Sequence, residues 1–145
     1  MLVTKDDYEI DDDTARLDLD VIHGFLATSY WAEGVPRDVV ERSVAASLNF
    51  GLYHDGSQVG LTRVVTDRAT FAWVADVFVL PEHRGRGLGH WMIETLLAHP
   101  GLAGLRRFVL VTSDAHQVYA ECGFTPLADP GRYMEINRPA RELYR

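Results

Sequence analysis

The spacing of apolar positions changes period several times along the chain, and each change marks a predicted element. Tyr8 to Asp11 alternates over a short span and predicts an edge strand, followed by an Asp-rich turn. Leu19, Ile22, Phe25 and Leu26 recur at helical spacing with Asp18 or Asp20 as N-cap, so a first helix is predicted to about Ser29. Tyr30-Trp31-Ala32-Glu33-Gly34-Val35 then reads as a loop. Pro36 suits the first turn of a second helix, which Val39, Val40, Val44 and Leu48 carry to about Ser47.

The period then falls to two. Phe50 to His54 predicts a strand, Asp55-Gly56 a hairpin turn, Val59 to Thr66 the returning strand, and Thr70 to Leu80 a third. Phe71, Trp73, Ala75, Val77 and Val79 alternate with Ala72, Val74, Asp76, Phe78 and Leu80, so both faces are apolar and the strand is predicted to lie centrally, covered on both sides. Asp76 is the exception in that run. Gly87 to His99 predicts an amphipathic helix with Leu88, Trp91, Met92, Thr95 and Leu96 on one stripe, stopped by Pro100-Gly101. A short buried strand at Phe108 to Val111, a helix at Ala115 to Cys122 and two last strands at Phe124 to Leu127 and Tyr133 to Ile136 complete the chain. The order β-α-α-β-β-β-α-β-α-β-β describes an α/β fold whose mixed sheet starts antiparallel and gains a parallel pair.

Length keeps this within one domain, residues 1–145. No repeat or Ser/Gly-rich linker divides it, and 47% hydrophobic content excludes a disordered acidic chain. The net charge is −7, and residues 1–20 carry −6 of it, with eight acids against Lys5 and Arg16. That balance argues against nucleic-acid binding, which needs a basic face. Cys122 stands alone, so no disulfide and no metal knuckle is expected. The acidic N-terminus does not read as a signal peptide, and no apolar run approaches the roughly 18 residues that span a bilayer. A soluble, cytoplasmic protein without membrane contact is the expectation.

The chemistry concentrates between the third long strand and its following helix, at Arg84-Gly85-Arg86-Gly87-Leu88-Gly89. Glycines there allow a tight turn and close approach of a ligand. The helix start adds unpaired N–H groups and a positive dipole end, and two arginines reinforce an anion site suited to phosphate or pyrophosphate. The stretch is neither a P-loop, which needs GxxxxGK[ST], nor the dinucleotide fingerprint GxGxxG. A plain strand-to-helix turn is the structural alternative.

Together with the preceding Asp76-Val77-Phe78-Val79-Leu80-Pro81, the segment Arg84-x-x-Gly87-x-Gly89 resembles the acetyl-coenzyme-A signature of the GNAT superfamily of N-acetyltransferases. Ala115 to Phe124, with Tyr119-x-x-x-Gly123-Phe124, resembles that family's second motif, and the predicted element order matches from about residue 8 to 136. The resemblance implies acetyl-coenzyme A as co-substrate, without a metal, in a cleft where the long strand splays from the strand at Phe108 to Val111. Backbone groups of Phe78, Val79 and Leu80 would pair with the pantetheine arm. The amides of Arg84, Gly85, Arg86, Gly87, Leu88 and Gly89 would hold the pyrophosphate, with the Arg84 and Arg86 side chains near the 3′-phosphate or the loop rim. Thr112 stands where the family often has a pantetheine-binding Asn.

The resemblance also implies a reaction, transfer of an acetyl group to a primary amine of a small molecule or peptide. Tyr119 would protonate the departing thiolate. An alkyl amine of pKa about 10.4 costs roughly 4 to 5 kcal/mol to deprotonate at pH 7, so a base is needed. Asp76 is the first candidate, a water chain to Asp76 or Glu33 the second; a buried carboxylate satisfied by Arg63 or Tyr133 is the structural alternative. Tyr30, Trp31 and Glu33 would form the acceptor pocket, His116 could relay protons or sit on the surface, and a homodimer is compatible with the family. A coenzyme-A-binding sensor on the same fold, with the chemistry lost, is the competing function.

Overall fold

The computed structural model describes residues 1–145, built on one six-stranded sheet in the order β1-β2-β3-β4-β5-β6. The strands are β1 (Leu2–Lys5), β2 (Tyr8–Asp11), β3 (Leu48–His54), β4 (Ser57–Thr66), β5 (Phe71–Val79) and β6 (Arg107–Leu110). All neighbours are antiparallel except β5 and β6, which run parallel. The helices are α1 (Leu19–Leu26), α2 (Arg37–Ala45), α3 (Leu88–Leu97), α4 (His116–Glu121) and α5 (Ala140–Leu143). The α/β class and the mixed sheet agree with the sequence reading.

Two helical layers cover the sheet, each closing its own core. On one face α3 contributes Leu88, Met92, Ile93 and Leu96 against Phe50, Leu52, Val64, Ala72 and Val74. On the other, Ile22 and Leu26 of α1 and Val40 and Val44 of α2 pack on Leu61 and Phe78. Asp18 caps α1 through its carboxylate, which accepts from the backbone N–H groups of Asp20 and Val21. Pro36 stands just before α2, where its missing N–H costs no hydrogen bond.

One residue turns β5 over. Arg63 pairs with Asp76 and Val64 with Val74, leaving Ala75 unpaired in a bulge. Ala72 and Val74 therefore face α3, while Phe78, of the same parity, faces α1 and α2. Asp76 lies across from Arg63 on that second face.

The structure departs from the sequence reading at both ends. β1 was not expected; it is an exposed edge strand held by backbone pairing to β2, joined through Asp6 at φ 56°. The two predicted last strands are corrected. Residues 124–127 and 133–136 carry no strand, and β6 keeps an open edge. Met134 and Ile136 are 97% and 91% exposed, so the alternation there has no core to satisfy. Instead the tail runs on to α5, and Tyr144 packs into the α1–α2 cluster.

Candidate active site

The parallel pairing of β5 with β6 covers Phe71 to Val74 opposite Arg107 to Leu110 and goes no further. Beyond it, the strand ends diverge and open a cleft of about 1350 Å³. Its floor is β5 from Trp73 to Val79, and its walls are the α1–α2 loop on one side and the β6–α4 connection on the other.

At the C-terminal end of β5 the chain makes a short 3-10 turn at Pro81–His83 and enters the glycine loop. Gly85 and Gly87 take φ of 78° and 75°, a left-handed conformation that other residues adopt only with strain. Gly87 is the N-cap of α3 and offers no side chain to it, so the first amides of that helix have no internal partner. A Cβ on Gly85, Gly87 or Gly89 would meet no protein atom within 4 Å. Packing does not require these glycines; the space above them is open to the cleft. Arg84 Nε donates to the carbonyl of Val79 at 2.9 Å, and Arg86 is exposed and lies outside the lining.

The other end of the cleft is aromatic. Trp31 sits edge-on to Tyr30 with ring centroids 5.1 Å apart, and Phe25 stacks on Phe78 at 4.1 Å. The Trp31 indole N–H donates to Asp76 Oδ1 at 2.7 Å, and Arg63 Nε donates to Asp76 Oδ2 at 2.6 Å. Asp76 is 5% exposed, and each of its oxygens already accepts a hydrogen bond. The pairing with Arg63 matches the structural alternative read from sequence. Glu33, expected in the acceptor pocket, is exposed and is not part of the cleft lining, because the chain turns outward there before Gly34.

Tyr119 and Thr112 both line the cleft. The Tyr119 ring meets Phe124 edge-on at 5.8 Å. Its phenol is pushed up to about 12, by burial first and then by Tyr30 and Asp114 nearby. Thr112 Oγ1 accepts from the backbone N–H groups of Asp114 and Ala115, shaping the turn into α4. The Tyr30 hydroxyl accepts a long bond of 3.4 Å from the Ser113 N–H, which joins the two walls across the cleft. His116 is exposed and outside the lining; Cys122 is half-buried, its thiol raised by burial and by Glu94 and Glu121.

Comparison with known proteins follows this geometry closely. Residues 46–126, from β3 to just past α4, match the model of the acetyltransferase (GNAT) domain. A protein of Gibberella zeae described as an inferred acetyltransferase is 34% identical over 139 residues, covering 81% of this chain and 78% of its own length. The chain belongs to the GNAT family of acetyltransferases.

Solved GNAT structures share the arrangement. The crystal structure of an inferred GNAT acetyltransferase of Xanthomonas campestris is 47% identical, with a TM-score of 0.90 over 94% of this chain and 96% of that one. A GNAT acetyltransferase of Elizabethkingia anophelis, solved with acetyl-CoA bound, shares the fold at a TM-score of 0.66 and 13% identity, over 94% of this chain and 92% of its own.

In this GNAT chain, the cleft residues that escaped the sequence reading include Glu135, Asn137 and Tyr144, all on the C-terminal tail. No local motif marks them, because they reach the cleft only where the tail crosses from the β6 side to α1 and α2. Trp73, one of the apolar positions of the predicted central strand, also lines the cleft at the point where β5 leaves β6.

Proposed function

We propose that the protein transfers the acetyl group of acetyl-coenzyme A to a primary amine of a small molecule or peptide. The observation that carries this reading is a single cleft that unites the β5–β6 divergence, the uncapped glycine loop and the Tyr119 phenol. The residues present fit the co-substrate. The left-handed glycines leave an open cradle without side chains, and the free amides at the start of α3 suit a pyrophosphate. When bound, acetyl-coenzyme A supplies an activated thioester.

The chain's own residues supply the rest. Beyond Val74 the backbone of β5 has no partner on the β6 side, where the Val79 N–H suits an extended amide-bearing arm. The Val79 carbonyl already accepts from Arg84 Nε, the Leu80 N–H donates to the Val59 carbonyl and the Leu80 carbonyl accepts from the His83 N–H. Amides of Gly85 to Gly89 hold the phosphates, the Arg84 N–H being spent on the Pro81 carbonyl, and the Arg84 and Arg86 side chains add positive charge at the rim. Thr112 borders the arm from the opposite wall. The Tyr119 hydroxyl makes no hydrogen bond within the protein, which leaves it free to donate its proton to the departing sulfur. Asp76 is not free in the same way, since it is only 5% exposed and each of its oxygens already accepts a hydrogen bond, one from Trp31 and one from Arg63. The amine's proton therefore leaves through water in the open cleft.

A thermal-shift titration with acetyl-coenzyme A, coenzyme A and NAD, followed by thiol release with an amine panel, tests the reading. At tenfold to hundredfold excess over Kd, a true ligand stabilises by roughly 1.4 to 2.7 kcal/mol. Shifts with both coenzyme A forms, none with NAD, and amine-dependent thiol release are expected. The engaged state of Asp76 favours one rival, a coenzyme-A-binding module without turnover; coenzyme A binding with no thiol release from any amine would establish it instead.

A further inference from the structure

Asp76 is a buried carboxylate in the cleft that the proposed reaction does not use, and its surroundings show what else it can do. The bulge at Ala75 turns it toward α1 and α2, opposite Arg63. Trp31 Nε1 reaches one oxygen at 2.7 Å and Arg63 Nε the other at 2.6 Å. Arg63 Nη1 then donates to Ser47 Oγ at 3.0 Å, and Ser47 Oγ donates to the Ser43 carbonyl on α2 at 2.6 Å. One chain of hydrogen bonds thus ties α2, β4 and β5 to the loop that carries Trp31.

We propose that Asp76 is a positioning residue. It latches the Trp31 indole, with Arg63 and Ser47 behind it, and so fixes an aromatic wall that selects amines bearing an aromatic or branched apolar group beside the nitrogen. The inference rests on the amine-acetylation reading and names its class of acceptor. A charge pair so buried, with side chains 6% and 16% exposed, adds little net stability but holds one geometry firmly. The geometry it holds is the orientation of Trp31, which in turn supports Tyr30 edge-on at 5.1 Å and approaches Phe25 at 6.1 Å. Between residues 25 and 43 the lining carries no charged side chain. Asp76 is the carboxylate on the aromatic side, with each oxygen already hydrogen-bonded to Trp31 or Arg63. The other lining carboxylates, Asp114, Glu121 and Glu135, come from the opposite wall and the tail, so a linear polycation finds no unpartnered carboxylate along the aromatic side.

Two sets of variants test this, with phenethylamine and spermidine as acceptors at saturating acetyl-coenzyme A. Trp31→Phe removes the indole N–H together with the five-membered ring, keeps an aromatic side chain and leaves both members of the ion pair in place. It is expected to raise the KM for phenethylamine about tenfold, the scale of one hydrogen bond to a charged group, with kcat and the coenzyme A melting shift little changed. Asp76→Ala should do the same, Asp76→Asn should recover part of the loss by still accepting from the indole, and Trp31→Phe combined with Asp76→Ala should cost no more than either alone. The wild type should prefer phenethylamine over spermidine in kcat/KM. A collapse of kcat in both Asp76 variants with Trp31→Phe silent would make Asp76 the base and overturn the proposal; a preference for spermidine would overturn the selectivity. An NMR measurement stands apart from turnover. With ¹⁵N-labelled tryptophan, the Trp31 indole proton should exchange with water far more slowly in the wild type than in Asp76→Ala, and equal exchange would overturn the latch. Absence of thiol release from these two and from every other amine of the panel, with coenzyme A still bound, would refute acetyl transfer itself, and the latch would then be decided by the indole exchange.

Discussion

Arg84 Nε donates to the carbonyl of Val79 at 2.9 Å, tying the first residue of the glycine loop back to the last residue of β5. The bond occupies one edge of the guanidinium and leaves the other donors free for a phosphate. Arg84→Ala should therefore weaken coenzyme A binding by calorimetry about tenfold or more, as expected for losing a charged donor. Arg84→Lys keeps the charge but cannot hold Val79 and donate outward in the same planar fork, so it should recover only part of the affinity. Full recovery with Lys would reduce the residue to a point charge.

The three glycines of the loop separate into two kinds of constraint. Gly87 sits at φ 75°, where an alanine costs about 1 to 2 kcal/mol of backbone strain, so Gly87→Ala should lower both the melting temperature and coenzyme A affinity. Gly89 lies within α3, and a Cβ there meets no protein atom within 4 Å. Gly89→Ala should then melt at the same temperature or higher, by up to about 1 kcal/mol of helix propensity, while the shift induced by coenzyme A shrinks. Unimpaired binding in the Gly89 variant would mean that the phosphates do not lie over this turn.

Tyr119 stays protonated throughout the neutral range, since burial and the nearby Tyr30 and Asp114 push its phenol up to about 12. As a proton donor it should be always armed. Tyr119→Phe is expected to lower kcat about tenfold or more, the usual range for a positioned acid, with the Kd for acetyl-coenzyme A nearly unchanged. The wild-type to variant ratio should hold steady from pH 6 to 9. A ratio that shrinks as pH rises through this range would mean that the donor ionises there and is another group.

How far the sequence reached depended on whether the cause was local. The glycine loop was legible because turn, helix start and arginines all lie within six residues, and Tyr119 because its motif is contiguous. The face of Asp76 was not legible. Ala72, Val74, Asp76 and Phe78 share one parity, and only the bulge at Ala75, set by pairing with β4, sends the first two to α3 and the last two to α1 and α2. Alternation also predicted strands at 124–127 and 133–136, but a strand needs a partner, and these residues have none. Glu33 was placed by loop membership, whereas Glu135 and Asn137 entered the cleft through the path of the tail, which periodicity does not describe.

Away from the cleft, Tyr53 offers a test of the core by pH. It is 2% exposed, its ring lies under the Arg16 guanidinium at 3.9 Å, and its hydroxyl is buried without a hydrogen-bond partner. The hydroxyl fits only because Gly51 lacks a Cβ, which would stand 2.3 Å from it. Burial pushes the phenol up to about 12, against the lowering effect of Arg16. In the unfolded chain it ionises near 10, so above that pH the unfolded state holds fewer protons than the folded one and stability falls as pH rises. Tyr53 should thus cost nothing below about pH 9 and about 1 kcal/mol by pH 11. Urea unfolding of the wild type and Tyr53→Phe at pH 8 and pH 11 isolates this contribution from the other titrating groups. At pH 8 the variant should be as stable or more so, because it removes an unpaired buried hydroxyl. At pH 11 its advantage should grow by about 1 kcal/mol, and a gap that stays constant between the two pH values would show that the folded protein lets Tyr53 ionise normally.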